Sequence, residues 1–252
     1  MNNDFEYIQI QPDKALSDYV ESFWCLHNRT DSNKETIGLP DGRIDLSLFE
    51  SATTSFRISL LGVGTQRHDH ATIPAHGLLF AVSFKLLAVE YLFHEPVADI
   101  LNSGKHLPND YWDFDSDDLK DFDRFCKKAS KKIYSLLPET IDARKQKLFE
   151  LIYLTNGAIT VKEFSEKIGW SSRQINRYFN HQFGLSLNAF CKILRFRASL
   201  DHIAKGKLFP EMNFADQTHF IKEIKKFAGV VPKELFKNKN DRFILLSTLS
   251  SK

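Results

Sequence analysis

Cysteine is scarce in this sequence: Cys25, Cys126 and Cys191 are the only three in 252 residues, and they lie far apart. A sparse, odd count without metal-ligand spacing excludes a disulfide scaffold and predicts a reducing, cytoplasmic setting. No apolar run approaches the roughly 18–20 residues that a membrane-spanning helix needs, so no membrane partner is expected. The opening residues Met1-Asn2-Asn3-Asp4-Phe5 carry neither a basic n-region nor an apolar stretch, which predicts no secretion signal. The combination of low hydrophobicity and strong net charge that marks disordered chains is missing too. Hydrophobic residues make up 42% of the chain and the formal net charge is only +2. That supply of apolar residues suffices for one large core or two small ones.

The small net charge conceals an asymmetry. Residues 1–140 hold 14 Lys/Arg against 22 Asp/Glu, a net −8, whereas residues 141–252 hold 20 against 10, a net +10. Such a split predicts two domains, the second facing a polyanion.

The acidic half begins with short alternating segments. Phe5–Ile10, Ile44–Phe49, Phe56–Leu60 and Leu78–Phe84 read as strands, with a turn at Leu39-Pro40-Asp41-Gly42. Several short strands before residue 90 predict a curved sheet or barrel. Beyond them an acidic run from Asp113 to Asp123 leads into a helix over 119–137. Its Phe122, Phe125, Cys126, Ala129, Ile133 and Leu136 make one apolar stripe, which packs on the sheet or on a second copy. Pro138 ends it.

After Pro138 the pattern is helix and turn. Asp142 caps a helix to about Leu154. Thr160-Val161-Lys162-Glu163 is a capping box opening a short helix to Ile168, and Gly169 supplies a tight turn. Ser171 caps a helix to Phe183, ended by Gly184, and Ser186 opens a longer one over Leu187–Ala204. Two short helices joined by a glycine-containing turn form a helix-turn-helix signature. Ile175, Phe179 and Phe183 recur every four residues and face the core. The other side then carries Arg173, Gln174, Asn176, Arg177 and Asn180, side chains that fork onto guanine and adenine edges or grip phosphate.

A second unit follows. Phe220, Ile224 and Phe227 face inward along Phe214–Phe227, leaving Gln217, Thr218, Lys222, Lys225 and Lys226 outward; Gly229 ends the helix and Pro232 opens a short last one.

From about Ile159 to Phe236 the chain resembles the double helix-turn-helix DNA-binding region of AraC/XylS-type transcription regulators. Ser171-Ser172-Arg173-Gln174-Ile175-Asn176-Arg177-Tyr178-Phe179 with Phe183-Gly184 is similar to the family's first recognition helix. Phe214-Ala215-Asp216-Gln217-Thr218-His219-Phe220 with Phe227-Ala228-Gly229-Val230-Val231-Pro232 is similar to its second. Val20–Trp24, Leu39–Leu46 and Phe80–Phe84 resemble, more weakly, one N-terminal sensor subtype. The resemblance implies an α+β protein with a barrel-like sensor or dimerisation domain at 1–138. An all-α DNA-binding domain follows at 139–240, then a tail at 241–252. It implies recognition helices at 172–183 and 216–228 that enter successive major grooves about 34 Å apart. Ser171, Ser172, Arg173, Gln174, Asn176, Arg177 and Asn180 would contact DNA from the first. Gln217, Thr218, Lys222, Lys225 and Lys226 would do so from the second. The implied partners are double-stranded DNA, with a small-molecule effector, RNA polymerase and a second copy of the chain as further candidates. No cofactor, metal or enzymatic activity is expected. An effector pocket in the first domain would be lined by Trp24, Phe80 or Phe84.

One departure bears on the second unit. Where relatives place a support helix, this chain reads Leu208-Phe209-Pro210-Glu211-Met212-Asn213-Phe214. About four residues are missing between Ala198 and Asn213, close to one helical turn, and Pro210 disfavours a helix interior by roughly 3 kcal/mol. A stunted support helix is therefore expected. The competing reading is a degenerate relative serving as a protein-interaction or effector-binding module, with weak non-specific DNA binding. Other chemistry has thinner support. His68, His70 and His76 lack a Glu-bearing motif, and Asp115 and Asp117 sit in a solvated helix start.

Overall fold

The computed structural model describes residues 5–210, 214–239 and 242–250. The front of the chain forms a six-stranded sheet that takes in the alternating segments expected from the sequence. Its strands are β1 (Phe5–Ile10), β2 (Val20–Asn28), β4 (Ile44–Ser51), β5 (Thr54–Leu61), β7 (Leu78–Phe84) and β8 (Gly104–Leu107). They pair antiparallel in the order β1-β2-β7-β4-β5-β8. A separate two-stranded ribbon joins β3 (Lys34–Gly38) to β6 (His68–Ile73). The fold is α+β, an antiparallel sheet domain followed by a helical region.

β7 lies between β2 and β4, so its side chains from Phe80 to Phe84 are buried on both faces. The apolar stripe of α1 (Phe122–Leu136) covers one face: Phe125, Ala129 and Ile133 are fully buried. Phe80 meets Phe122 at 5.1 Å and Phe125 at 5.6 Å between ring centroids. Of the two surfaces open to this amphipathic helix, it takes the sheet. The acidic run before it is consumed by helix starts. Asp115 and Asp121 cap a 3-10 turn and α1, while fully buried Asp118 accepts from Lys128 Nζ at 2.6 Å.

The sheet's pleat divides the residues offered for an effector pocket between two faces. Residues directly opposite in an antiparallel pair share a face, and Trp24 pairs with Ala81. Trp24 therefore shares a face with Ser83, to whose Oγ its indole N–H donates at 2.9 Å, and its ring stacks near Tyr7. Phe80 and Phe84 point to the opposite face, and Phe84 packs on Phe93 and Trp112 at 5.0 and 5.9 Å. One cavity cannot be lined by Trp24 together with either phenylalanine.

The helical region comprises α2 (Ala143–Leu154), α3 (Val161–Ile168), α4 (Ser172–Phe183), α5 (Leu187–Ala204), α6 (Gln217–Ala228), α7 (Pro232–Lys237) and α8 (Ile244–Ser250). The residues expected as a C-terminal tail thus include a helix, which packs on α5 and buries Leu246. Between Ala204 and Pro210 the chain turns and runs without helix, where sequence predicts a stunted support helix; Glu211–Asn213 of that segment lie outside the described residues.

The chain divides into two compact units. One comprises residues 1–34, 43–62 and 72–142; the other comprises 35–42, 63–71 and 143–252. Most of the β3–β6 ribbon therefore groups with the helices, and the backbone passes between the units five times. Within the helical unit Thr36 Oγ1 donates to the Ala71 carbonyl at 2.7 Å, and the Ile37 N–H donates to the Arg242 carbonyl at 2.7 Å.

Candidate nucleic-acid interface

Local chemistry sets the α3–α4 pair. Thr160 and Glu163 form a reciprocal capping box at the start of α3, whose Phe164 and Ile168 are buried. Gly169 ends the helix at φ +75°, a left-handed conformation that a side chain would disfavour. Ser171 then caps α4, and here Gln174 closes a second box. Its side-chain oxygen accepts from the Ser171 N–H at 2.8 Å and from its hydroxyl at 2.9 Å. Ile175, Phe179 and Phe183 are at most 1% exposed. Phe149 of α2 packs on Phe179 and Phe183, and Phe190 of α5 meets Phe179 at 6.0 Å.

That inward stripe turns Arg173, Gln174, Arg177, Asn180 and His181 outward, all exposed. Among the described residues, no ion pair or hydrogen bond ties up Arg173 or Arg177. The amides differ. Half-buried Asn176 donates to the Ser172 carbonyl at 3.1 Å and accepts from the Leu187 N–H at 3.3 Å, joining α4 to the first turn of α5. Asn180 donates to the Asn176 carbonyl at 2.8 Å. The structure therefore commits Asn176 to holding helices together, where sequence predicts a base contact. Ser171 is exposed and Ser172 half-buried at the same helix start, where unpaired N–H groups favour an anion.

In the second unit Asp216 caps α6 by accepting from the His219 N–H at 2.7 Å. Phe220, Ile224, Phe227 and Ala228 are buried, and Phe196 of α5 lies 5.0 Å from the Phe227 ring. Thr218, Lys222, Lys225 and Lys226 are exposed as expected from the stripe. Gln217 is not: half-buried, it donates to the Leu208 carbonyl at 3.1 Å, and its own side-chain oxygen is buried without a partner among the described residues. It anchors the irregular segment before α6 in place of a support helix. The far end of α6 is held by the ribbon segment. Arg67, paired with Asp69 at 3.0 Å, donates to the Ala228 carbonyl at 3.4 Å and fills the space beside Gly229, whose φ is +73°. A cation there complements the negative end of the helix.

Cys25, Cys126 and Cys191 are free thiols, and burial pushes each up to about 12, so none is poised as a nucleophile. Among the described residues no three His, Cys, Asp or Glu side chains cluster as metal ligands would, and His76 pairs with Asp31 at 2.8 Å. No described helix is long and apolar enough to cross a membrane.

Residues 8–106 match a family described as a domain of unknown function, DUF6597. No curated protein matches the chain. Among solved structures, apo ToxT from Vibrio cholerae, in a lysine-to-alanine variant, aligns at 11% identity with a TM-score of 0.42, over 93% of this chain and 98% of that one. Wild-type ToxT with an unsaturated fatty acid bound aligns at 12% identity with a TM-score of 0.39, over 92% and 91%.

Proposed function

We propose that this chain is a cytoplasmic, sequence-specific transcription regulator of the AraC type that binds double-stranded DNA. The observation that carries the reading is the outward side of α4. Two exposed arginines, one turn apart, stand on a helix whose angle is fixed by a capping box, a left-handed glycine turn and three buried anchors. Arg173 and Arg177 read base edges, since guanidinium forks match the paired acceptors of guanine in the major groove. Ser171 and Ser172 take a phosphate at the helix start. Asn176 sets the angle between α4 and α5 and acts through position alone. On α6 the exposed Thr218, Lys222, Lys225 and Lys226 supply phosphate contacts, which add affinity without choosing sequence. The 18 residues of α5, about 27 Å long, separate the two contacting helices.

A second reading is favoured by the segment before α6, where residues 205–210 form no support helix. In it the lysines of α6 bind duplexes indiscriminately and α4 adds nothing specific. Selection of preferred sites from random duplexes, followed by affinity measurements across a salt series, separates the two. A recovered consensus whose affinity exceeds random duplex at every salt concentration supports the first. A steep salt slope with no consensus supports the second.

A further inference from the structure

Beside α4 lies an open groove of about 430 Å³ lined by Arg144, Trp170, Gln174, Arg177, Tyr178 and His181. None of the six is acidic. Two of its rings carry cations: the Arg144 guanidinium is 5.3 Å from the Trp170 centroid, and Nζ of the neighbouring Lys145, outside the lining, is 5.3 Å from that of Tyr178. The rings themselves meet at 5.6 Å. Stacking on an aromatic surface holds a guanidinium in place. The groove also shares Gln174 and Arg177 with the outward side of α4.

We propose that this groove is a phosphodiester clamp in which Arg144, held by Trp170, grips one phosphate of the duplex read by Arg177. The proposal rests on the DNA-binding reading of α4. It adds α2 and the α3–α4 turn to the interface and assigns them a sequence-independent role. A side chain entering a major groove about 12 Å wide brings the flanking strand up against neighbouring elements, and Arg144 is a groove-lining cation on this flank. A planar guanidinium donates two parallel N–H groups to a phosphate, a geometry an ammonium cannot copy.

The test uses the full chain and compares wild type with Arg144→Gln, Arg144→Lys and Arg177→Ala. Affinity is measured for a selected site and for random duplex, each across a salt series. Arg144→Gln should weaken both duplexes equally, roughly threefold to tenfold at moderate salt, and lower the slope of log affinity against log salt by about one. Arg144→Lys should keep the slope and lose part of the affinity. Arg177→Ala should lose preference for the selected site. Arg144 is exposed, so a thermal midpoint unchanged by Arg144→Gln separates this effect from misfolding. An unchanged slope and affinity in Arg144→Gln, with wild type still selective, overturns the clamp and leaves the α4 reading intact. Wild type without any preferred site overturns the α4 reading, and the slope on random duplex then decides the clamp alone. Inorganic phosphate at matched ionic strength distinguishes a free-anion pocket. Competition with DNA that disappears in Arg144→Gln would support the clamp, whereas phosphate binding that needs Arg144 but leaves DNA affinity unchanged would assign the groove to free phosphate and overturn its assignment to duplex.

Discussion

Asn176 and Arg177 are neighbours with opposite duties. The Asn176 side chain bridges α4 and α5 by accepting the Leu187 N–H, one of the backbone donors that a helix start leaves without an internal partner. Asn176→Ala should cost about 1–2 kcal/mol of stability and leave base preference unchanged, because a half-buried donor loses its acceptor. Chemical denaturation alongside site selection checks this. Arg177→Ala should behave inversely, with stability near wild type, a loss of about 1–3 kcal/mol on the preferred site and relaxed choice at one base position. Equal losses on every duplex would reduce Arg177 to a phosphate contact. Both residues are polar and fall on the same side of the heptad-like stripe. Periodicity therefore groups them, and only the approach of the α5 start tells them apart. Gln174 is a different case: Ser171-x-x-Gln174 has the spacing of a capping box, so its role at the helix start was legible without coordinates.

At the scale of elements, the turn after α2 meets α5 closely at Gly157. A Cβ on Gly157 would lie 2.6 Å from the Cys191 Cα, and the residue sits at φ +67°. Backbone cannot retreat as a side-chain tip can. Gly157→Ala should destabilise the protein by roughly 2–4 kcal/mol, measured by thermal or denaturant unfolding. The cap on α3 gives a pH test. Hydrogen bonds from Thr160 hold the Glu163 carboxyl below its ordinary value. A lowered folded-state pKa means the stabilisation is present at neutral pH and is withdrawn as pH falls through that lowered value. Glu163→Gln removes the titration and keeps an acceptor. The difference in unfolding midpoint between wild type and Glu163→Gln should therefore shrink on acidification below the usual carboxylate range; a constant difference would show that the charge is irrelevant. Helices α3 to α7 were legible because caps and stops mark them: Thr160, Ser171, Ser186, Gly169, Gly184, Gly229 and Pro232. Strands β2, β3, β6 and β8 were harder. β2 is buried on both faces and so lacks alternation, while the polar His68–Ile73 carries no apolar face to announce it. The ribbon's grouping with the helices is a non-local event with no local signature, and neither is the closeness of Arg67 to Gly229.

For the molecule as a whole, the charge split of −8 and +10 follows the two-unit organisation only in part, because residues 35–42 and 63–71 belong with the basic helices. A fragment starting at Ala143 keeps every helix of the second unit yet loses Arg67 from the end of α6 and the Ile37 bond to Arg242. Such a fragment should unfold at a lower temperature and with less cooperativity than the same region within the full chain. Calorimetry of both checks this, and equal midpoints would show the ribbon to be dispensable. Adding a peptide spanning residues 63–71 should recover none or part of the loss, since tethering supplies an effective concentration a free peptide lacks.

The five backbone passages also impose a schedule on synthesis. Arg67 leaves the ribosome about 160 residues ahead of Ala228 and Gly229, its packing partners. At roughly 5–20 residues per second, the nascent ribbon waits on the order of 10–30 s before the end of α6 is made. During that interval it has half a binding site and no occupant, so the second helical unit closes only once the end of α6 has been made.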